Sequence, residues 1–196
     1  MASPLTLDDI ADLRAYERER ESFRSHVIAL KKRRRVGVGP FVTLLFENRD
    51  TIRFQIQEMA RVEKLLSDDA IQTELDIYNP LIPGAGTLCA TLFIELTSEE
   101  DLRLWLPDLV GIERAVALRL ADGSVVPSVP DEQHDSQLTR EAITASVHYV
   151  RFHLDEAQVA ALEAGGGPVV LATTHPEYAH ESPLGPETVA ELLADL

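Results

Sequence analysis

Residues 41–66, FVTLLFENRDTIRFQIQEMARVEKLL, constrain the fold of this chain more than any other stretch. An alternating apolar pattern runs through residues 42–46 and resumes at residues 52–56. The polar residues 48–50 between the two patterns are typical of a turn. The stretch therefore predicts a β-hairpin that runs directly into a helix.

The rest of the chain alternates between helical and strand patterns. Helices are predicted before residue 36, after the capping residues Ser67, Thr97 or Ser98, and Asp155, and over residues 187–193. Strands are predicted over residues 87–96, 112–120, 144–154 and 169–173, with a hairpin turn at 122–123 and loops at 127–139 and 176–186. Because short turns join many of the strands, we expect an α+β fold. It has a mainly antiparallel sheet, N-terminal helices and a short C-terminal helix.

The length of 196 residues is enough for one hydrophobic core. We therefore predict a single domain over residues 1–196. The loop NPLIPGAG at residues 79–86 contains two prolines and two glycines and is the best candidate for an internal boundary. The alternative is a helical, basic front over residues 1–80 and an acidic, sheet-containing back over residues 87–196.

Charge is distributed unevenly along the chain. Residues 1–66 contain 13 Lys and Arg against 10 Asp and Glu, whereas residues 67–196 contain 5 against 23, for a total net charge of −15. The acidic part should repel nucleic acid and anionic membranes and attract a basic partner or a second copy of the chain. We therefore expect a homo-oligomer, no membrane partner and no nucleic acid, and we assign the basic run at residues 31–35 to a helix end.

Several classes of protein are disfavoured by what the sequence lacks. Cys89 is the only cysteine, so an intramolecular disulfide and a four-cysteine metal site within one chain are excluded. No apolar run reaches the roughly 18 residues of a membrane helix, and no signal peptide is visible, so a cytoplasmic location is expected. The phosphate-loop, Rossmann, zincin and nucleophile-elbow motifs are absent too.

Four segments carry a resemblance that extends over most of the chain. They are FENRDTIRFQIQEM (46–59), YNPLIP (78–83), ATLFIEL (90–96) and VHYVRFHL (147–154), and they resemble a bacterial family of unknown function. That family looks to be encoded near rubrerythrin-like and iron–sulfur oxidoreductase genes. The resemblance implies a link to a redox or oxidative-stress pathway and an iron–sulfur or rubrerythrin-like partner. It implies no activity, and the cofactor stays unknown.

Polar side chains are concentrated around the predicted hairpin and helix. The candidate ligand-binding residues are Glu47, Arg49, Arg53, Gln55, Gln57 and Glu58. One interpretation is an arginine–carboxylate network that fixes the hairpin to the helix. The other is a pocket in which Arg49 or Arg53 holds an anionic ligand and Glu58 acts as an acid–base group.

Histidines supply the candidate metal ligands His148, His175 and His180. His148 and His153 are five residues apart in a predicted strand, so they should point to opposite faces, with His148 on the core side in a structural hydrogen bond. His175 and His180 have Glu177 and Glu181 nearby, and this combination could bind a metal ion in a loop. Buried Cys89 is expected to behave as a small hydrophobe.

Three functional hypotheses follow from these observations. The first is a non-catalytic accessory or interaction protein of a redox pathway. The second is a ligand-binding protein or enzyme with an anion-binding site at the junction of the hairpin and the helix. The third is a metalloprotein that uses histidine and carboxylate ligands. The sequence leaves the question of enzymatic activity open.

Overall fold

A computed structural model of the chain describes residues 3–131 and 143–196. Eight antiparallel strands form one sheet in the order β1-β2-β3-β6-β5-β4-β7-β8. The strands are β1 (Arg35–Val38), β2 (Val42–Phe46), β3 (Thr87–Ile94), β4 (Val116–Arg119), β5 (Val125–Pro130), β6 (Val147–His153), β7 (Val170–His175) and β8 (Tyr178–Pro183). Each pairing in the sheet is antiparallel, as predicted.

Six α-helices accompany this sheet in the described ranges. They are α1 (Leu13–Arg34), α2 (Arg49–Glu63), α3 (Asp68–Tyr78), α4 (Glu99–Asp108), α5 (Glu156–Ala164) and α6 (Pro186–Asp195). The predicted capping residues Ser67, Ser98 and Asp155 each accept a hydrogen bond from a backbone N–H of the first turn of α3, α4 and α5. The predicted α+β class, the N-terminal helices and the short C-terminal helix are confirmed. In the parts of the chain that the structure describes, no helix is long and apolar enough to cross a membrane.

A hairpin does run into a helix, but its strands are not the predicted ones. Strand β1 pairs with β2, and the segment 52–56, which we predicted as the second strand, lies inside α2. Asn48 caps this helix by accepting a hydrogen bond from Thr51 N. The apolar residues at 52, 56 and 60 are four apart, so they form the buried stripe of a helix. Alternate residues had matched a strand equally well.

Two predicted loops contain strands. Strand β5 includes Pro127 and extends to Pro130, within the predicted loop 127–139, and residues 132–139 of that loop lie outside the described ranges. Strand β8 lies in the predicted loop 176–186 and pairs with β7. Proline is disfavoured in strand interiors, which is why both segments were misassigned. Residues 125–130 alternate between exposed and buried in the structure, but Val125 and Val129 are on the exposed side and Ser128 is buried, so the sequence has no matching apolar alternation.

The two edge strands of the sheet approach each other. Tyr178 of β8 donates its hydroxyl hydrogen to Val38 O (2.8 Å), and the Tyr178 hydroxyl oxygen accepts from Phe41 N and Val42 N (both 3.1 Å). Gly39 lies in this contact at φ +73, and a Cβ there would be 2.5 Å from the His180 ring. Only glycine therefore fits, and the sheet is nearly closed around an apolar interior.

Apolar residues pack on both faces of the sheet. The inner core holds buried side chains from all eight strands, together with residues of α4, α5 and α6. A smaller outer cluster lies between the other face and the first helices, with Ile52 and Ile56 of α2, Leu75 of α3, Leu5 and Leu81. Helix α2 is therefore held against the outer face of the sheet, and the candidate site lies at that contact.

Candidate functional site

A cavity of about 120 Å³ lies between the first helices and the outer face of β2, β3 and β6. Its walls combine aliphatic, aromatic and polar side chains from six elements of the fold and the turn after α3. They are Lys31, Leu45, Glu47, Thr51, Ile52, Gln55, Tyr78, Leu81, Thr91, Phe93, Val147 and Tyr149. Two of the predicted ligand-binding residues, Glu47 and Gln55, are among them.

Glu47 places a buried carboxylate in the wall of this cavity. The residue is 7% exposed. Its Oε2 accepts a hydrogen bond from Thr51 Oγ1 (2.5 Å), and its Oε1 accepts one from Thr91 Oγ1 (2.6 Å). Each carboxylate oxygen therefore has a hydroxyl donor from a different element, one from α2 and one from β3.

The backbone of Glu47 is held on both sides. Its N–H donates to Cys89 O (2.8 Å), which continues the pairing of β2 with β3. Its carbonyl oxygen accepts from Arg34 Nη2 (3.1 Å), and Arg34 is fully buried. Arg34 also pairs with Glu191 and Asp195 of α6. The C-terminal helix therefore helps to fix the position of the Glu47 carboxylate.

The electrostatic setting of Glu47 is unusual for a buried charge. Among the residues that the structure describes, no Lys, Arg or His nitrogen lies within 4.0 Å of its carboxylate. Lys31 also lines the cavity, but its Nζ lies 5.6 Å from the centroid of the Phe54 ring. A buried charge is normally paired, so this carboxylate differs from the other buried charge nearby, Arg34.

The two tyrosines of the cavity stay protonated near neutral pH. Burial, with smaller contributions from the nearby Tyr78 and Glu47, raises the pKa of Tyr149 to about 12. Burial also raises the pKa of Tyr78. Both phenols are therefore neutral at pH 7.

The predicted arginines lie on another side of α2, against the N-terminal segment. Arg49 donates to Asp9 Oδ1 (2.6 Å), and Arg53 donates to Glu19 Oε1 (2.7 Å). Arg53 also stacks over the Phe23 ring, at 4.6 Å from its centroid. Both guanidinium groups already bind carboxylates of the same chain. They are therefore part of an arginine–carboxylate network, which joins α2 to the N-terminal segment and α1.

Gln57 and Glu58 belong to this same contact. Gln57 is fully buried and accepts from Ala11 N (2.8 Å) while donating to Ala11 O (3.1 Å). The Glu58 carboxylate accepts from Tyr16 Oη (2.7 Å) and from Arg20 Nε (2.8 Å). The hydrogen bonds from Arg20 are the main reason that the pKa of Glu58 falls to about 2. Glu58 is therefore ionised at neutral pH and lacks the raised pKa of a general acid.

The three candidate metal ligands each have other partners. His148 Nε2 lies 2.9 Å from both Thr144 Oγ1 and Ala145 O, and it faces the inner core, whereas His153 is exposed. His175 Nε2 lies 3.1 Å from Val110 O, and the His180 ring packs edge-on against Tyr178. Within residues 3–131 and 143–196, no three His, Cys, Asp or Glu side chains form a group that could hold a metal ion.

Cys89 is buried in β3, one of the strands under the cavity, and is not activated. Burial raises the pKa of its thiol to about 11, against a lowering influence of Arg151. The thiol is therefore protonated at neutral pH and is a poor nucleophile.

Several cavity residues were not among the sequence candidates. Thr51, Thr91, Tyr78 and Tyr149 come from four elements, and Lys31 was assigned to a solvated helix end. Thr91 is the only one with a sequence signal, because it is a buried polar residue within the apolar run of β3. The contact of α1, α2 and α3 with the sheet, which brings these residues together, is a tertiary feature with no local pattern.

Comparison with known proteins gives a family for the chain. A crystal structure of a novel protein of unknown function from Burkholderia pseudomallei is similar, with a TM-score of 0.90 and 42% identity, over 99% of this chain and 100% of that one. No curated protein matches the chain. The profile of a family described as "Protein of unknown function (DUF3501)" matches residues 4–196. The chain therefore belongs to the DUF3501 family, which agrees with the resemblance seen in the sequence.

Proposed function

We propose that this protein binds a small molecule in the cavity beside Glu47. The observation that carries the proposal is the buried carboxylate in the cavity wall, which has two hydroxyl donors and, within residues 3–131 and 143–196, no cation within 4.0 Å. An unpaired buried charge opposes folding. Natural proteins tolerate such local costs mainly at functional sites, so the carboxylate is better explained by a ligand than by stability.

The size and lining of the cavity support a small ligand. A volume of about 120 Å³ is close to that of engineered apolar cavities of about 150 Å³ that bind benzene. The ligand therefore has about six non-hydrogen atoms or fewer. Apolar walls with a few convergent polar groups are typical of binding pockets. Phe93 and Leu81 supply apolar surface here, and Glu47 and Gln55 supply the polar groups.

The proposal differs from the predicted anion site in its position. Arg49 and Arg53, which would hold an anion, are paired with carboxylates on another side of α2. Of the predicted ligand-binding residues, only Glu47 and Gln55 belong to the proposed site. The others belong to the network between α2 and the N-terminal segment.

A fragment titration followed by NMR tests the proposal. Cationic, neutral and anionic compounds of about four to six non-hydrogen atoms are titrated into ¹⁵N-labelled protein, in a size range set by the cavity. We expect at least one compound to shift the backbone amides of Thr51 and Thr91 in a saturable way. Val147→Phe, which fills the cavity from the sheet side, should abolish these shifts.

A matched variant controls for the added ring. Val129 also lies on the sheet, but it is 44% exposed and away from the cavity. Val129→Phe should therefore leave the titration unchanged. The proposal is contradicted when no compound shifts the two threonine amides, or when Val147→Phe retains the shifts in a folded protein.

A further inference from the structure

The hydrogen bonds around Glu47 decide which kind of ligand the cavity accepts. A hydroxyl has one hydrogen to donate and two lone pairs, and a carboxylate has about four acceptor positions. Thr51 and Thr91 both direct their hydroxyl hydrogen at Glu47. Thr51 Oγ1 also accepts a hydrogen bond from Asn48 N (2.9 Å). The unused acceptor positions of this group therefore lie on the Glu47 carboxylate and the Thr91 hydroxyl, and its two hydroxyl hydrogens are already engaged.

The charge at this wall favours the same kind of ligand. The Glu47 carboxylate is buried, and the guanidinium of Arg34 bonds to the Glu47 backbone oxygen and to carboxylates of α6. A ligand that carries a positive charge would supply the missing counter-ion. An anionic ligand would instead place two like charges together in surroundings of low polarity.

The aromatic rings of the cavity add a third contribution. Phe93, Tyr78 and Tyr149 line it together with Glu47. Aromatic faces attract cations, most strongly where water is excluded. We infer that the cavity binds a small primary ammonium ion, with its N–H groups donating to Glu47 and the Thr91 hydroxyl oxygen. This inference rests on the proposed function and names the chemical class of its ligand.

Lys31 tests the electrostatic part of the inference. Lys31 is one of the residues that line the cavity, and its Nζ lies over the Phe54 ring, 5.6 Å from the ring centroid, and not on Glu47. A fixed positive charge at the wall weakens the binding of a cationic ligand. Lys31→Met keeps the length of the side chain and removes this charge, so it should strengthen binding of an ammonium ion. Lys32, an exposed neighbour on the same helix, provides the matched variant Lys32→Met.

The experiment uses three probes of similar size that differ in charge: propylammonium, propan-1-ol and propanoate. Each is titrated into the full chain at pH 7 and constant ionic strength, and the amides of Thr51 and Thr91 are followed by NMR. We expect propylammonium to bind in the millimolar range and at least tenfold more tightly than either other probe, which corresponds to about 1.4 kcal/mol. Glu47→Gln should remove this preference.

Glu95→Gln is the matched control for the carboxylate. Glu95 also accepts a hydrogen bond from a threonine, Thr43 Oγ1 (2.7 Å), but it is paired with Arg35 and its side chain is 49% exposed. The preference for propylammonium should survive this change. If Glu47→Gln fails to fold, the comparison of Lys31→Met with Lys32→Met tests the inference instead. At least a threefold gain in propylammonium affinity in Lys31→Met relative to Lys32→Met supports the inference, and no gain overturns it.

The outcomes separate the inference from the proposed function. If propan-1-ol or propanoate shifts the two amides at equal or lower concentration than propylammonium, the ammonium inference is overturned and the binding proposal stands. If none of the probes shifts them at up to about 100 mM, where binding is weaker than about −1.4 kcal/mol, the proposed function fails for ligands of this size, and the ammonium inference fails with it.

Discussion

The two contacts of α2 differ in how their charged side chains are paired. Toward the N-terminal segment and α1, each of the charges that we predicted faces an opposite charge, as in the pairs of Arg49 with Asp9 and of Glu58 with Arg20. Toward the sheet, the carboxylate of Glu47 faces two hydroxyls and a cavity. The difference indicates that the first contact stabilises the fold. At the second contact, the described residues supply no cationic partner for the Glu47 carboxylate.

The largest effect on stability is expected at Gln57. Both atoms of its buried amide bond to the backbone of Ala11, so Gln57→Ala leaves a donor and an acceptor without partners. We expect a loss of about 3 kcal/mol in the free energy of unfolding, measured with urea. Gln55→Ala, in the same helix but at the cavity, should cost less than about 1 kcal/mol. Equal losses would remove the distinction between the two contacts.

A smaller loss, about 2 kcal/mol at pH 7, is expected for Glu58→Gln, because charged hydrogen bonds to Arg20 and Tyr16 are weakened. The effect depends on pH. The pKa of Glu58 falls from 4.5 to about 2 in the folded protein, so its stabilisation is complete above about pH 4.5 and is lost as the pH falls toward 2. Urea unfolding at several pH values should show the wild-type advantage shrinking over this interval. A constant advantage would contradict the ion pair.

Tyr16→Phe should have a still smaller effect. Tyr16 is fully buried, and its hydroxyl donates to Glu58 Oε1 (2.7 Å). Removing one hydrogen bond while the ring stays in place should cost about 1 kcal/mol. In a double-mutant cycle with Glu58→Gln, the two losses should be less than additive, because both changes remove the same hydrogen bond. Full additivity would show that the two side chains act independently.

The smallest effect is expected at Glu47. Glu47→Gln removes a buried charge that has no cationic partner in the part of the chain that the structure describes, and the amide oxygen retains one of the two hydroxyl contacts. The change in the free energy of unfolding should therefore lie within about 1 kcal/mol of zero, in either direction. Thermal and urea unfolding beside Glu58→Gln provide the comparison. A loss above about 2 kcal/mol would make Glu47 a structural group.

The sequence predicted elements best where the signals are local. The caps Ser67, Ser98 and Asp155 start helices because a side-chain oxygen next to the helix satisfies its first N–H groups. Residues 52–56 were misassigned because Ile52 and Ile56 fit a spacing of two and a spacing of four. The capping contact between Asn48 and Thr51 settles the choice, and it depends on backbone geometry that the sequence pattern does not carry.

The site was predicted only in part, because residues that are close in sequence can point to different sides of a helix. Gln55 and Gln57 are two residues apart, yet one lines the cavity and the other bonds to Ala11. The arginines suggested an anion, but their partners Asp9 and Glu19 lie 40 and 34 residues away in the chain. Local sequence therefore revealed the density of polar groups and not how they are paired.

Other expectations from the sequence are untested by the fold. The iron–sulfur or rubrerythrin-like partner, the homo-oligomer and the cytoplasmic location stay predictions. They are compatible with a binding protein, because a small ligand can control how such a protein meets a partner.

The central claim is that the Glu47 carboxylate binds a cationic ligand in the cavity. A crystal structure with propylammonium tests this claim most directly. The account predicts difference density in the cavity, with the ammonium nitrogen within hydrogen-bonding distance, about 2.7–3.2 Å, of a Glu47 oxygen. Two results would contradict it: a cavity that holds only water at a saturating concentration of the ion, or a Lys31 ammonium group seated on the Glu47 carboxylate as its permanent partner.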